Sequence, residues 1–166
     1  MSDEQLEGWK RCIIRSSREG LEIAGAFAKT FGPTDKTLIC SCGKSECWCG
    51  FSAHNSVIGA LRYRPLANPI AHVSISDHIR FGGGRKKEYI IGYRQDVLTL
   101  LWPQICHIKD CENTVTGLIT QENDEMYPIC EIHGTSTSLQ NLSLNYGIQM
   151  KWLSTDYTRW AKIQDK

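Results

Sequence analysis

The residues best suited to chemistry in this chain are thiols, and they come in two groups. The later group reads Cys106-x4-Cys111, then eighteen residues, then Cys130-x2-His133. A borderline ion such as Zn2+ takes four thiolate or imidazole donors in a tetrahedron, and pairs of donors on tight turns are the simplest way to supply them. Between the pairs, the strand-like runs "TVTGLIT" and "MYPIC" flank the polar turn "QENDE", which predicts a hairpin that folds the two pairs together. His107 competes with Cys106 for one position, and Cys106 is favoured because thiolate is the commoner partner in structural sites. The competing reading is three buried free cysteines and a surface histidine. A complete Cys3His set leaves no open position for a reacting water, so the role it implies is structural.

The earlier group, Cys40-x-Cys42-x4-Cys47-x-Cys49, is tighter. On a strand, residues two apart share a face. Two short strands joined by "GKSE" would set all four sulfurs on one side, with cross-strand Cβ atoms roughly 5 Å apart. That spacing permits a second structural zinc, with Trp48 and Phe51 packed over it. Two other readings stay open: a mixed site with His54 or the distant cysteines, and a redox pair. The C-x-x-C spacing of a redox pair is absent. Cys12 is the remaining thiol and reads as a small core residue.

The order knuckle, hairpin, then a ligand pair at a helix start resembles the treble-clef class of zinc modules. The resemblance covers about thirty residues and implies an architecture but no function. Templates for catalysis are missing: there is no HExxH, no GxSxG, no GxxxxGK[ST], and no histidine followed by x-Glu ahead of "PICEIH". The remaining catalytic material is His72, Asp77, His78 and Arg80, near a strand as in the ββα-type metal nucleases, against the simpler reading of polar residues on the solvent face of a hairpin.

Two surfaces suggest contact with partners. From Arg62 to Arg94 there are seven basic residues against two acidic ones, Asp77 and Glu88. In "FGGGRKKEY", a hairpin tip would present Arg85, Lys86 and Lys87, with Arg80 and Arg94 on the flanking strands, to phosphate. Tyr63, Tyr89 and Tyr93 are interleaved and could stack on bases. The same charges would also serve a soluble tip that resists edge-to-edge pairing. The second surface is "SLQNLSL", which is similar to the start of the elongin-binding BC box. In the lentiviral Vif family a similar element follows a zinc site. The resemblance implies that Leu139 and Leu142 would anchor in a protein partner. The bland reading is an amphipathic helix docking Leu139, Leu142 and Leu144 onto the protein's own core.

The elements that must position these residues read as α+β. Leu6, Trp9 and Ile13 recur at helical spacing, and Leu21–Lys29 reads as a second helix. "AHVSISDHIRF" and "EYIIGYR" read as partner strands of a central antiparallel sheet, and "VLTLLW", ended by Pro103, is buried whether it is helix or strand. Residues 1–103 would be an α+β core with the cysteine-rich hairpin, and 104–166 a zinc module with a C-terminal apolar segment, together one compact domain. Net charge is +1 and apolar residues make up 41%, so a folded core is expected and no whole-protein basic field draws in nucleic acid. No secretory leader or membrane span is read, so cytoplasm or nucleus is the expected location, where clustered cysteines more often hold metal than disulfides. The function expected is a non-enzymatic, zinc-binding regulator that contacts nucleic acid through the basic arm. The alternatives are a zinc-stabilised protein adaptor and a small metal-dependent nuclease.

Overall fold

The chain opens as a strand and not as a helix. In the computed structural model, which describes residues 4–25, 30–31, 37–39, 51–62, 67–157 and 159, Leu6–Ser17 forms a twelve-residue strand, β1. It returns through the two-residue loop Arg18-Glu19 into Gly20–Gly25, β2. Gly20 sits at φ 135, a backbone region that a side chain disfavours. The expected N-terminal helices are therefore overturned. The i, i+3, i+7 spacing of Leu6, Trp9 and Ile13 matched a helix, but Cys12 and Ile14, and then Leu21 and Ile23, alternate into the core. β-Branched residues at 13, 14 and 23 favour extended backbone. Residues 26–29 of the second expected helix lie outside the described residues.

The remaining elements follow in order. Short strands β3 (Thr30–Phe31), β4 (Thr37–Ile39) and β5 (Phe51–His54) precede helix α1 (Val57–Leu61). Strands β6 (Ile70–Ser76), β7 (Arg80–Gly82), β8 (Tyr89–Gly92) and β9 (Arg94–Trp102) come next. Then come β10 (Val115–Thr120), β11 (Met126–Cys130), α2 (Leu139–Tyr146) and β12 (Gln149–Trp152). The main sheet runs β12-β9-β6-β1-β5-β8-β7, with β4 beside β9 and the β2–β3 pair branching from β1. The sheet is mixed and not purely antiparallel, because β12 runs parallel to β9. That parallel strand needs a long crossover, and the crossover contains the β10–β11 hairpin and α2.

One face of the main sheet carries the core. Val73 and Ile75 of β6, Leu100 and Trp102 of β9, and Ile14 of β1 pack with Leu21 and Ile23 of β2. From the crossover, Leu118, Met126, Leu139 and Leu142 enter the same cluster. A smaller cluster on the opposite face joins Ala60 and Leu61 of α1 to Ile70 and Leu153, with Trp9 and Leu101 alongside. Ser138 caps α2 by accepting from the Asn141 N–H at 3.2 Å, and Gly147 ends it in the left-handed conformation at φ 64. Among the described residues, no helix is long and apolar enough to cross a membrane.

Cys12 lies in this core, 2% exposed. Burial pushes its thiol up to about 12, against weaker opposing pulls from Lys10 and Arg11. Its thiolate therefore forms only as pH approaches that value, and thiolate is the reacting species. Iodoacetamide at pH 8, followed by peptide mapping, should leave Cys12 unmodified in the native protein and label it after denaturation. Labelling of native Cys12 within minutes would contradict this burial.

Candidate metal centre

Cys106 follows β9, whose run Pro103 ends. The turn Ile108–Cys111, closed by the Cys111 N–H donating to the Ile108 carbonyl at 3.2 Å, brings Cys111 back beside it. Asp110 adopts φ 60 in that turn, a conformation that Asp tolerates better than most residues. On the other side, Cys130 is the last residue of β11, and the turn after it is closed by His133 N–H to Cys130 carbonyl at 3.1 Å. The β10–β11 hairpin, expected from its sequence, is present in antiparallel register from Val115↔Cys130 to Thr120↔Met126. The His107 N–H donates to the Pro128 carbonyl at 3.0 Å, tying the two ligand turns together.

The four donor atoms of Cys106, Cys111, Cys130 and His133 all lie within 4.8 Å of one another. Cys130 Sγ is 3.2 Å from His133 Nδ1, and Cys106 Sγ is 3.6 Å from the same nitrogen. Cys111 Sγ is 3.7 Å from Cys130 Sγ. A tetrahedral ion with bonds of ~2.3 Å to sulfur and ~2.0 Å to nitrogen requires edges of roughly 3.5–3.8 Å. Three of the six donor pairs stand about one edge apart and the others lie within 4.8 Å, so these four residues form a possible metal site. His133 is exposed, whereas Cys106 and Cys130 are 4% and 1% exposed, so the centre is seated in the protein with its imidazole side toward solvent.

Electrostatics prepare the set unevenly. Burial would push the Cys130 thiol up, but the backbone N–H groups of His133 and Ile132, together with Cys111 and Cys106, outweigh it and bring it to about 6. For Cys106 burial prevails and the thiol is raised, although the backbone N–H groups of Ile108 and Cys130 pull the other way. Backbone N–H donors aimed at sulfur are what a thiolate ligand needs to stay charged while partly buried. Asn113 adds a donor, its Nδ2 lying 3.4 Å from Cys111 Sγ. Its contribution was not foreseen, and only its position two residues after Cys111 hints at it.

His107, the rival ligand, faces elsewhere. Its Nδ1 is 3.0 Å from the Pro128 carbonyl, Nε2 is 2.6 Å from Gln121 Nε2, and its ring stacks on Tyr127. The ligand pair Cys130/His133 lies on a turn, and α2 begins only at Leu139. The treble-clef expectation of a ligand pair at a helix start is not met. Cys40, Cys42, Cys47 and Cys49, with Trp48, lie outside the described residues, as do Tyr63 and Arg64.

Other candidate residues are scattered more widely. Arg85, Lys86 and Lys87 are exposed on the 3-10 turn Gly84–Lys86 and its end, at the tip of the β7–β8 hairpin. Arg80 is half-buried on β7, and Arg94 is held by Asp96 at 2.8 and 3.2 Å. Leu139 and Leu142 are each 6% exposed within the main core. Withdrawing both to meet a partner would forfeit about 3–6 kcal/mol of burial, so they serve the fold. Leu144, by contrast, is 76% exposed. His72 stacks on Trp9, with its Nε2 3.0 Å from Glu7 Oε2. The His78 ring meets that of Tyr93 at a tilt of 40°, in a turn where Asp77 and His78 both have positive φ. No family model matches the chain, and neither the curated proteins nor the solved structures contain a significant match.

Proposed function

We propose that the protein is a zinc-stabilised binding protein that contacts nucleic acid through the tip of the β7–β8 hairpin. The observation that carries this reading is the exposure of three consecutive cations, Arg85, Lys86 and Lys87, on one tight turn. Gly83 and Gly84 precede them at φ 89 and φ 62, leaving a tip without side-chain bulk on its approach. Lys87 Nζ lies 5.6 Å from the Phe81 ring centre, a contact that steadies one of the charges against the hairpin. The metal at the Cys3His set is Zn2+, on the softness of three thiolates and one imidazole. Its part is to hold the crossover that returns the chain to the sheet.

The test is binding of single- and double-stranded RNA and DNA across a salt series. Each phosphate contact contributes ~0.7–0.9 to the slope of log K against log salt. Changing Arg85, Lys86 and Lys87 together to Ala should lower the slope by about 2–3 and weaken binding roughly thirty- to hundredfold at 0.15 M salt. An unchanged affinity in the triple variant, or the absence of any salt-dependent binding, would remove this reading.

A further inference from the structure

We infer that the cleft between α1 and the β7–β8 hairpin is a site for one phosphorylated nucleotide, a reading that rests on the nucleic-acid binding proposed above and assigns it a pocket. The cleft has a volume of about 290 Å³ and is lined by His54, Asn55, Arg62, Lys86, Glu88 and Tyr89, among others. That volume lies at the lower end of small-ligand pockets, the scale of a single nucleotide and not of a peptide.

Strand register builds the floor. Tyr89 stands opposite His54 across β8 and β5, and His54 stands opposite Trp9 across β5 and β1. Trp9 in turn faces His72 on β6. Four rings thus occupy one row across four neighbouring strands of the sheet. At the cleft end of the row, the His54 and Tyr89 rings lie 4.8 Å apart, tilted by 46°. Aromatic rings displayed in a row on a sheet are a stacking surface for bases. Gly59 makes the arrangement possible, because a Cβ there would come within 2.9 Å of His54 Nδ1.

The walls supply charge from two separate elements. Arg62 ends α1, and Lys86 comes from the hairpin tip, so the two cations approach from opposite sides. Glu88 is the one carboxylate among the residues lining the cleft. The walls are pinned to each other: the Asn55 N–H donates to the Glu88 carbonyl at 3.0 Å, and Asn55 Nδ2 donates to the Lys87 carbonyl at 2.8 Å. These bonds hold the backbone of the two walls at a set separation. Two cations beside a pair of rings match the two halves of a nucleotide: Arg62 and Lys86 take the phosphate, and Tyr89 takes the base. An anion without a base would leave the rings unused, and an uncharged aromatic ligand would leave the cations unused.

The ligand is either a free nucleotide or the nucleotide unit of a single strand, and the test separates these. Calorimetry would use adenosine and uridine 5′-monophosphate, and a ten-nucleotide RNA with and without a 5′-phosphate, against the wild type, Arg62→Ala, Tyr89→Leu and Tyr89→Phe. We expect saturable mononucleotide binding that Arg62→Ala and Tyr89→Leu each weaken at least tenfold, while Tyr89→Phe stays within about threefold. Equal affinity for mononucleotide and RNA assigns the site to a free nucleotide; RNA binding a hundredfold tighter, with the same dependence on Tyr89, assigns it to a strand. Should Tyr89→Leu fail to fold by circular dichroism, Arg62→Ala and Tyr89→Phe still decide. The proposal is overturned if no mononucleotide binds the wild type, or if Arg62→Ala leaves binding unchanged. RNA binding that falls in the hairpin triple variant but not in Arg62→Ala removes the cleft and keeps the hairpin reading. Mononucleotide binding that depends on Arg62 and Tyr89, together with RNA binding indifferent to Arg85→Ala/Lys87→Ala, keeps the cleft and removes the hairpin.

Discussion

Cys130→Ser is expected to release one metal ion per chain and to lower the melting temperature by roughly 10 °C or more, the response to losing about 3 kcal/mol or more in a chain of this size. Cys130 is central to the set: its sulfur lies 3.7 Å from Cys111 Sγ and 3.2 Å from His133 Nδ1. Replacing thiolate by a hydroxyl shortens the side chain's reach and removes the charge that attracts the ion. Beside the donor set itself, apolar packing is sparse. The local cluster contains Cys106, Val115, Ile129 and Cys130, with Cys111, Ile119 and Trp152 at its edge, so only two of its buried members are aliphatic. A metal-ligand set that rarely exists in the unfolded chain contributes its binding energy directly to folding. Chelation of the wild-type protein should give the same loss, reversed by added Zn2+. Elemental analysis and calorimetric melting check both arms. An unchanged metal content and melting point in Cys130→Ser would show that the four donors hold nothing.

A comparable loss is expected from a single added methyl at Gly117. β10 is irregular there, its pairing with β11 shifting between Val115 and Gly117. A Cβ at Gly117 would clash with the Thr137 carbonyl oxygen and come within 2.8 Å of Ser136 Oγ. The backbone of Thr137 cannot yield cheaply, because it exchanges two hydrogen bonds with Leu118, each at 2.9 Å. These bonds carry the chain from His133 toward α2. Overpacking costs about 1–3 kcal/mol, and losing the paired bonds adds roughly 1 kcal/mol for each. Gly117→Ala should therefore lower stability by about 3–5 kcal/mol in urea denaturation. Because Leu118 enters the main core, the effect should appear as global destabilisation and not as local fraying. A variant as stable as the wild type would place the 134–137 segment elsewhere.

The grouping of four possible metal donors was largely legible in the sequence, and the fold around it was not. Cys106, Cys111, Cys130 and His133 declare themselves because donor pairs sit on short turns, and a hairpin with a polar tip between them is a local signal. The local backbone also set α2, where Ser138 and Gly147 mark the two ends. What misled was the N-terminus. Leu6, Trp9 and Ile13 fit a helical stripe, yet β1 gains partners in β2, β5 and β6, and pairing on both edges outweighs a periodicity of three residues. For Leu139 and Leu142 the sequence favoured packing onto the protein's own core over anchoring a partner, and both lie in the main core.

Residue types and short spacings determined on their own which atoms can bind a metal, where the hairpin turns, and where the cations cluster. Those properties depend on donor chemistry and on dihedral preferences within a few residues. Tertiary structure alone decided that His107 turns away to Pro128 and Gln121 while Cys106 joins the set. It alone brought Tyr89, His54, Trp9 and His72 into one row from four strands. Strand register is set by burial across the whole sheet, and a shift of one residue would send each ring to the opposite face.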